Sequence, residues 1–163
     1  MIHSLSGTLL DCDEDYAIID VGGVRFEVEI PGSTAHQLEG KGKPATLYTR
    51  LSFNANDATF SLFGFATSAE RDCFDVLTSM SGIGPRKALS ILSQIEIGSF
   101  ANAIIGQDLT YLSKLKGVGK KTAERIMVEL REKMVPFAGA PAESGGPVLP
   151  QGKENVADSR SEE

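Results

Sequence analysis

Apolar and polar residues alternate with two different periods in this chain, and the change falls near residue 66. Before it the period is two. Val24, Phe26, Val28 and Ile30 fall on one face, with Arg25, Glu27 and Glu29 on the other, which predicts a half-buried strand ended by Pro31-Gly32. Tyr16–Val21 (YAIIDV) reads as a buried strand, and Gly22-Gly23 between the two suits a tight hairpin, because glycine tolerates positive φ. Met1–Leu10, Thr46–Leu51 and Thr59–Phe65 complete five strands, with a small helical insert near Ser33–Leu38. This order predicts a small Greek-key barrel of the OB type, although a generic β-barrel would give the same pattern.

After residue 66 the period becomes helical. Thr67 followed by Glu70 is a capping box that opens a helix through about Ser79. Pro85 suits a first helical turn and opens a helix to Gln94. Short helices are expected near Ser99–Ile105 and Leu109–Lys114. Lys120–Met134 reads as the longest, with Ala123, Ile126, Met127 and Leu130 on one face and Pro136 as its stop. The expected fold class is therefore α+β: a five-stranded OB-type barrel at 1–65, an all-α domain at 66–137, and a flexible polar tail at 138–163. The tail has no aromatic residue, and Val148, Leu149 and Val156 are its large apolar side chains, too few to offset the entropy of ordering it.

Inside the helical region a short segment occurs twice. Ser81–Leu92 reads SGIGPRKALSIL and Lys116–Met127 reads KGVGKKTAERIM. With Gly82 laid on Gly117, Ile83 falls on Val118, Gly84 on Gly119, Arg86 on Lys121, Ala88 on Ala123 and Ile91 on Ile126. Leu77 and Leu112 precede the first glycine by five positions, Met80 and Leu115 by two. Each copy thus reads as helix, Gly-apolar-Gly turn and basic helix start. A helix N-terminus carries unpartnered N–H groups and partial positive charge, and glycines there let a phosphate oxygen approach. Gly82, Gly84, Gly117 and Gly119 are the candidate approach points. Ile83 and Val118 are expected to point inward and pin the turns, and Arg86, Lys87, Lys120, Lys121 and Thr122 stand in the first turns that follow. Cations at a helix start oppose its dipole by a few tenths of a kcal/mol, which makes sense where an anion is awaited. The competing reading is an ordinary glycine-containing helix connection with solvated lysines. The matched second copy argues against it.

Charge sharpens the picture. The 163 residues carry a net −6, but residues 1–80 hold −7, residues 81–133 hold +4 and residues 134–163 hold −3. The positive stretch is the one with the repeat, and salt screens charges beyond about 8–10 Å, so local charge governs attraction of phosphate. No apolar run approaches a membrane span, and no secretory signal is visible. Cys12 and Cys73 lack metal-ligand spacing and read as reduced cytosolic thiols. With His3 and His36 as the histidines, neither a metal site nor a His-based triad is expected. The acid-rich Asp11–Asp15 reads as a solvated hairpin turn. GVGKKT lacks the spacing of a phosphate-binding P-loop, with Lys114 where that motif wants glycine and Lys121 where it wants Ser or Thr. No cofactor is expected.

The repeated turn resembles the tandem helix-hairpin-helix motif. The order of barrel then hairpins, with IIDVGGVRFEVEIP in the barrel, SLFGF at its exit and LKGVGKKTAERIMVELREK in the second hairpin, resembles the RuvA family of bacterial Holliday-junction proteins over residues 1 to about 137. The resemblance implies a non-catalytic homotetramer, single or doubled, that holds four-way junction DNA open and flat. It implies presentation of that DNA to the hexameric ATPase RuvB for branch migration, with the resolvase RuvC able to join, in the bacterial cytoplasm. It also implies an acidic pin loop in the barrel that repels phosphates at the crossover. Here that loop reads NANDATF, a residue or two longer than usual, with Asp57 as its one acid and Asn56 beside it. Asp57 also reads as a plain turn former. RuvA proteins carry a third helical domain that contacts RuvB. Residues 141–163 cannot build one, so it is expected to be absent and coupling to RuvB is the weakest of the implied functions. A generic hairpin-bearing DNA adaptor without junction preference is the alternative.

Overall fold

The computed structural model describes residues 1–139. The expected tail and the expected loss of a third domain fall on residues outside that range, apart from Ala138 and Gly139.

Five strands close into a barrel in the order β1-β2-β3-β5-β4: β1 (Ser4–Cys12), β2 (Tyr16–Val21), β3 (Val24–Glu29), β4 (Pro44–Asn54) and β5 (Thr59–Phe65). All neighbours are antiparallel except β3 and β5, which meet in parallel at Glu29 and Phe63, and β1 pairs with β4 to complete the ring. This is the OB arrangement, and it settles the barrel type that alternation left open. Gly22 and Gly23 both take positive φ, at 61° and 91°, as the expected hairpin requires. Leu5, Leu9, Ala17, Ile19, Val28, Ile30, Ala45 and Leu47 fill the interior. Along β3 the alternation is incomplete, since Val24 at the strand's start is exposed. The short helix α1 (Gly32–Gln37) lies between β3 and β4.

The helical region comprises α2 (Ser68–Thr78), α3 (Pro85–Leu92), α4 (Ile97–Ile105), α5 (Leu109–Ser113), α6 (Lys120–Glu129) and α7 (Arg131–Met134), followed by a single 3-10 turn at Val135–Phe137. The capping box at Thr67 and Glu70 is present. The single helix expected over Lys120–Met134 is instead two. The break falls at Leu130, whose backbone sits at the edge of the right-handed helical region (φ −104°, ψ −5°). The bend lets α7 pack on α4 while Ile126, Leu130 and Met134 all stay buried. Pro136 has no N–H to continue the ladder, and the helical run closes in the 3-10 turn.

The barrel and the helices are not beads on a string. Phe63 and Phe65, at the end of β5, belong to the helical core and pack on Phe74 with ring centroids 5.2 and 5.0 Å away. Around this contact lies a polar clasp. The buried Glu70 carboxylate accepts from the Ser33 hydroxyl (2.8 Å), the Thr34 hydroxyl (3.2 Å) and the amides of Ala66 (3.1 Å) and Thr67 (3.3 Å). Arg50 on β4 makes a two-pronged bond to Asp75 on α2. The Gly32 amide donates to the Ser93 hydroxyl at 2.8 Å. The helices are thus set against the barrel by packing and directional bonds together.

Candidate nucleic-acid interface

The two copies of the repeat adopt the same turn. Gly82 and Gly117 take φ of 90° and 83°, a region that L side chains rarely enter. Gly84 and Gly119 follow at φ −82°, ψ 172° and φ −80°, ψ 171°. Between them Ile83 and Val118 are buried, at 3% and 4% exposure. Their amides donate to the carbonyls of Met80 (3.1 Å) and Leu115 (3.0 Å). Both residues therefore act as anchors, and neither their side chains nor their N–H groups are open to a ligand. Leu77, Met80, Leu112, Leu115, Ala88, Ala123, Ile91 and Ile126 are buried as matched pairs, so the sequence repeat is a repeat of core positions.

How the helices begin separates these turns from α2, α4 and α5. Thr67 caps α2, Glu96 caps α4 and Asp108 caps α5, each through a side-chain oxygen. Helices α3 and α6 begin on Gly84 and Gly119 with no side-chain cap and no acid in the first turn. Apart from Pro85, which has no N–H, the residues of these first turns have N–H groups with no side-chain acceptor. Gly84 and Gly119 have a backbone that any residue adopts, and a Cβ added at either would meet nothing within 4 Å. Neither strain nor internal packing asks for glycine there. The bare Cα leaves room for something that approaches from outside.

The cations stand where the repeat places them. Arg86, Lys120 and Lys121 are exposed, while Lys87 and its repeat partner Thr122 are half-buried. Arg86 also leans toward Glu29 of the barrel, at 3.6 Å. Two further residues tie the turns together. Gln94 accepts from the Lys116 amide (2.7 Å) and donates to its carbonyl (3.2 Å), fastening the second turn to the end of α3. Arg125 on α6 reaches across so that its guanidinium lies 3.4 Å from where a Gly82 Cβ would be. The second hairpin thereby brings to the first a guanidinium that is also paired with Glu129, at 2.9 Å. The repeat pattern did not single out Arg125; its one sequence signal is a position four residues after Lys121, on the same helical face.

Asn56 and Asp57 lie elsewhere, in the exposed turn between β4 and β5. Asp57 Oδ1 accepts from the Thr59 hydroxyl (2.6 Å) and amide (3.2 Å), and Asn54 Oδ1 accepts from the Asn56 amide (3.0 Å). The turn-forming role of Asp57 is thus real, and it holds the loop in a defined shape. In the acid-rich β1–β2 turn, Asp11 pairs with Lys41 at 2.6 Å and accepts from the Cys12 amide and the Tyr16 hydroxyl. Lys41, first among these partners, holds the Asp11 carboxyl below its usual range. Asp11 is spoken for by these structural bonds.

Two family models divide the chain where its structure does. Residues 1–64 match the RuvA N terminal domain and residues 74–132 match the SAM-like helix-hairpin-helix tandem. Among curated relatives, the Holliday junction branch migration complex subunit RuvA of Geobacter metallireducens is 46% identical over 87% of this chain and 70% of its own length. The protein of the same name from Methylibium petroleiphilum is 43% identical over 90% of this chain and 75% of its own. That from Pseudomonas fluorescens is 40% identical over 87% and 69%. With the OB barrel, the tandem glycine turns and this likeness over most of its length, the chain belongs to the RuvA family.

Proposed function

We propose that this protein binds four-way junction DNA through its paired glycine turns, independently of base sequence, as the non-catalytic scaffold of a branch-migration machine. The observation that carries the reading is the pair of uncapped helix starts, α3 and α6, each on an outward-facing bare glycine followed by cations. Such a site takes a phosphate oxygen on backbone N–H groups and carries no base-reading side chain, so it grips the DNA backbone without reading its bases. The relatives' names supply the junction and the branch-migration complex. Family resemblance supplies the tetramer, single or doubled, the ATPase RuvB as motor, RuvC as a further partner, and the bacterial cytoplasm as the place of work. In a fourfold assembly the Asp57 loops would bring four negative charges to the axis and repel phosphates there.

The test is a competition gel shift in which labelled junction, bound at moderate salt, is challenged with unlabelled junction and with linear duplex of equal base count. Effective competition by junction alone supports the scaffold. Equal competition by duplex would make the turns generic phosphate grips and favour an adaptor role.

Two substitutions extend the test. Lys120→Ala with Lys121→Ala is expected to weaken junction binding and to reduce the slope of log affinity against log salt by roughly 0.9 for each phosphate no longer neutralised. An unchanged slope would remove both lysines from the interface. Asp57→Asn is expected to leave affinity unchanged or raised while lowering the preference for junction over duplex. A clear loss of affinity would contradict repulsion by the loop.

A further inference from the structure

The hairpin that carries Asp57 has a feature that phosphate binding does not use. Phe53 on β4 and Phe60 on β5 are register partners across the last turns of the ladder. Their ring centroids are 4.9 Å apart with planes tilted by 44°. They are 55% and 69% exposed, whereas Phe63, Phe65, Phe74 and Phe100 are all within 3% of complete burial. Two adjoining rings left in water forgo the stabilisation that burial would bring. The rings are also held in place. The ladder continues on both sides of them through Ser52–Ser61 and Asn54–Thr59, and the Asp57–Thr59 bonds close the turn beyond.

We propose that Phe53 and Phe60 form a stacking platform for unpaired nucleobases at the junction crossover. This rests on the junction-scaffold reading, which brings this hairpin to the branch point. The chemistry of the surroundings selects the occupant. Residues 52–61 contain a single charge, the Asp57 carboxylate, and no cation. A phosphate would be repelled there, but the face of a base is uncharged and stacks on an aromatic ring whatever its identity. The division of labour is then clear: Asp57 turns the backbones aside and the phenylalanines receive the bases that separation exposes, as apolar wedges do between base steps.

The experiment uses the full chain bound to an immobile four-way junction carrying 5-iodouracil either at the crossover or in the middle of an arm, irradiated with long-wave ultraviolet light and mapped by peptide mass spectrometry. Cross-linking to Phe53 or Phe60 is expected from the crossover label, with about tenfold less from the arm label, because the label must lie against the ring. Phe53→Leu with Phe60→Leu keeps apolar bulk but removes the ring faces, so the crossover yield is expected to fall by about tenfold while the hairpins still hold the junction. A crossover label that attaches elsewhere in wild type, or equally well in the double variant, would overturn the platform while leaving the junction reading intact. A changed sedimentation coefficient of the DNA-free double variant would make the pair a contact between copies and also overturn it. Equal competition by duplex in the gel shift removes the junction reading itself, and the platform with it.

Discussion

Valine at position 119 is expected to lower junction affinity by about 10- to 100-fold, the loss that follows when charge-assisted hydrogen bonds to a phosphate are blocked. The fold is expected to survive. Gly119 has φ −80° and ψ 171°, which valine adopts without strain, and a new Cβ meets nothing within 4 Å. The cost in stability should stay within about 1 kcal/mol, as for an unfavourable helix cap. The informative control is two residues earlier. Gly117 has φ +83°, so Gly117→Val forces a side chain into the left-handed region at a cost of about 1–3 kcal/mol. It should lose stability as well as binding. Thermal unfolding and gel shift on the two variants separate a bare surface from a required turn. Wild-type affinity for Gly119→Val would remove the second hairpin from the DNA interface.

Replacing Glu70 with alanine should be strongly damaging although it is remote from that interface. Its carboxylate receives four hydrogen bonds that gather α1, the end of β5 and the start of α2 into one clasp. Alanine leaves the Thr67 amide without the capping-box partner and the Ser33 and Thr34 hydroxyls without their acceptor. Buried groups left in this way cost about 1–3 kcal/mol apiece at most, with partial relief from water. A net loss of about 3 kcal/mol, or roughly 6–12 °C in Tm, is expected. Glu70→Gln keeps one acceptor oxygen and should lose less. Because the clasp joins barrel to helices, scanning calorimetry on Glu70→Ala should also show a broader or divided transition. A sharp transition at the wild-type temperature would mean that the Phe63 and Phe65 contacts to Phe74 suffice to join barrel and helices.

The proposed phosphate site was legible in the chain because its ingredients lie close together in sequence. Gly82 and Gly117 need a positive φ, Ile83 and Val118 need the core, and Arg86 and Lys121 follow two residues after Gly84 and Gly119. A window of twelve residues contains the whole turn, and its second copy confirms the spacing. The capping box at Thr67 and Glu70 was legible for the same reason. Its larger role was not, since Ser33 and Thr34 stand 37 and 36 residues away from Glu70. Arg125 escaped notice likewise: its approach to Gly82 depends on how two hairpins pack, which no local period reports. The exposure of Phe53 and Phe60 was hidden too. The expected strand stopped at Leu51 and left Phe53 outside it; β4 in fact runs on to Asn54, which pairs Phe53 with Phe60 on the exposed part of the hairpin.

Hydrogen bonds, allowed dihedrals and apolar periodicity act over a few residues, and so the elements, their caps and the twin glycine turns are written into short stretches of this chain. Closure of the barrel through the parallel β3–β5 contact, the capture of Phe63 and Phe65 by the helical core and the break at Leu130 arise otherwise. Each is the outcome of packing surfaces that meet across dozens of residues, where the fit of the whole outweighs the preference of any one segment. Local physics made two glycine turns with basic helix starts; the docking of barrel on helices joined them to the barrel that carries the Asp57 hairpin.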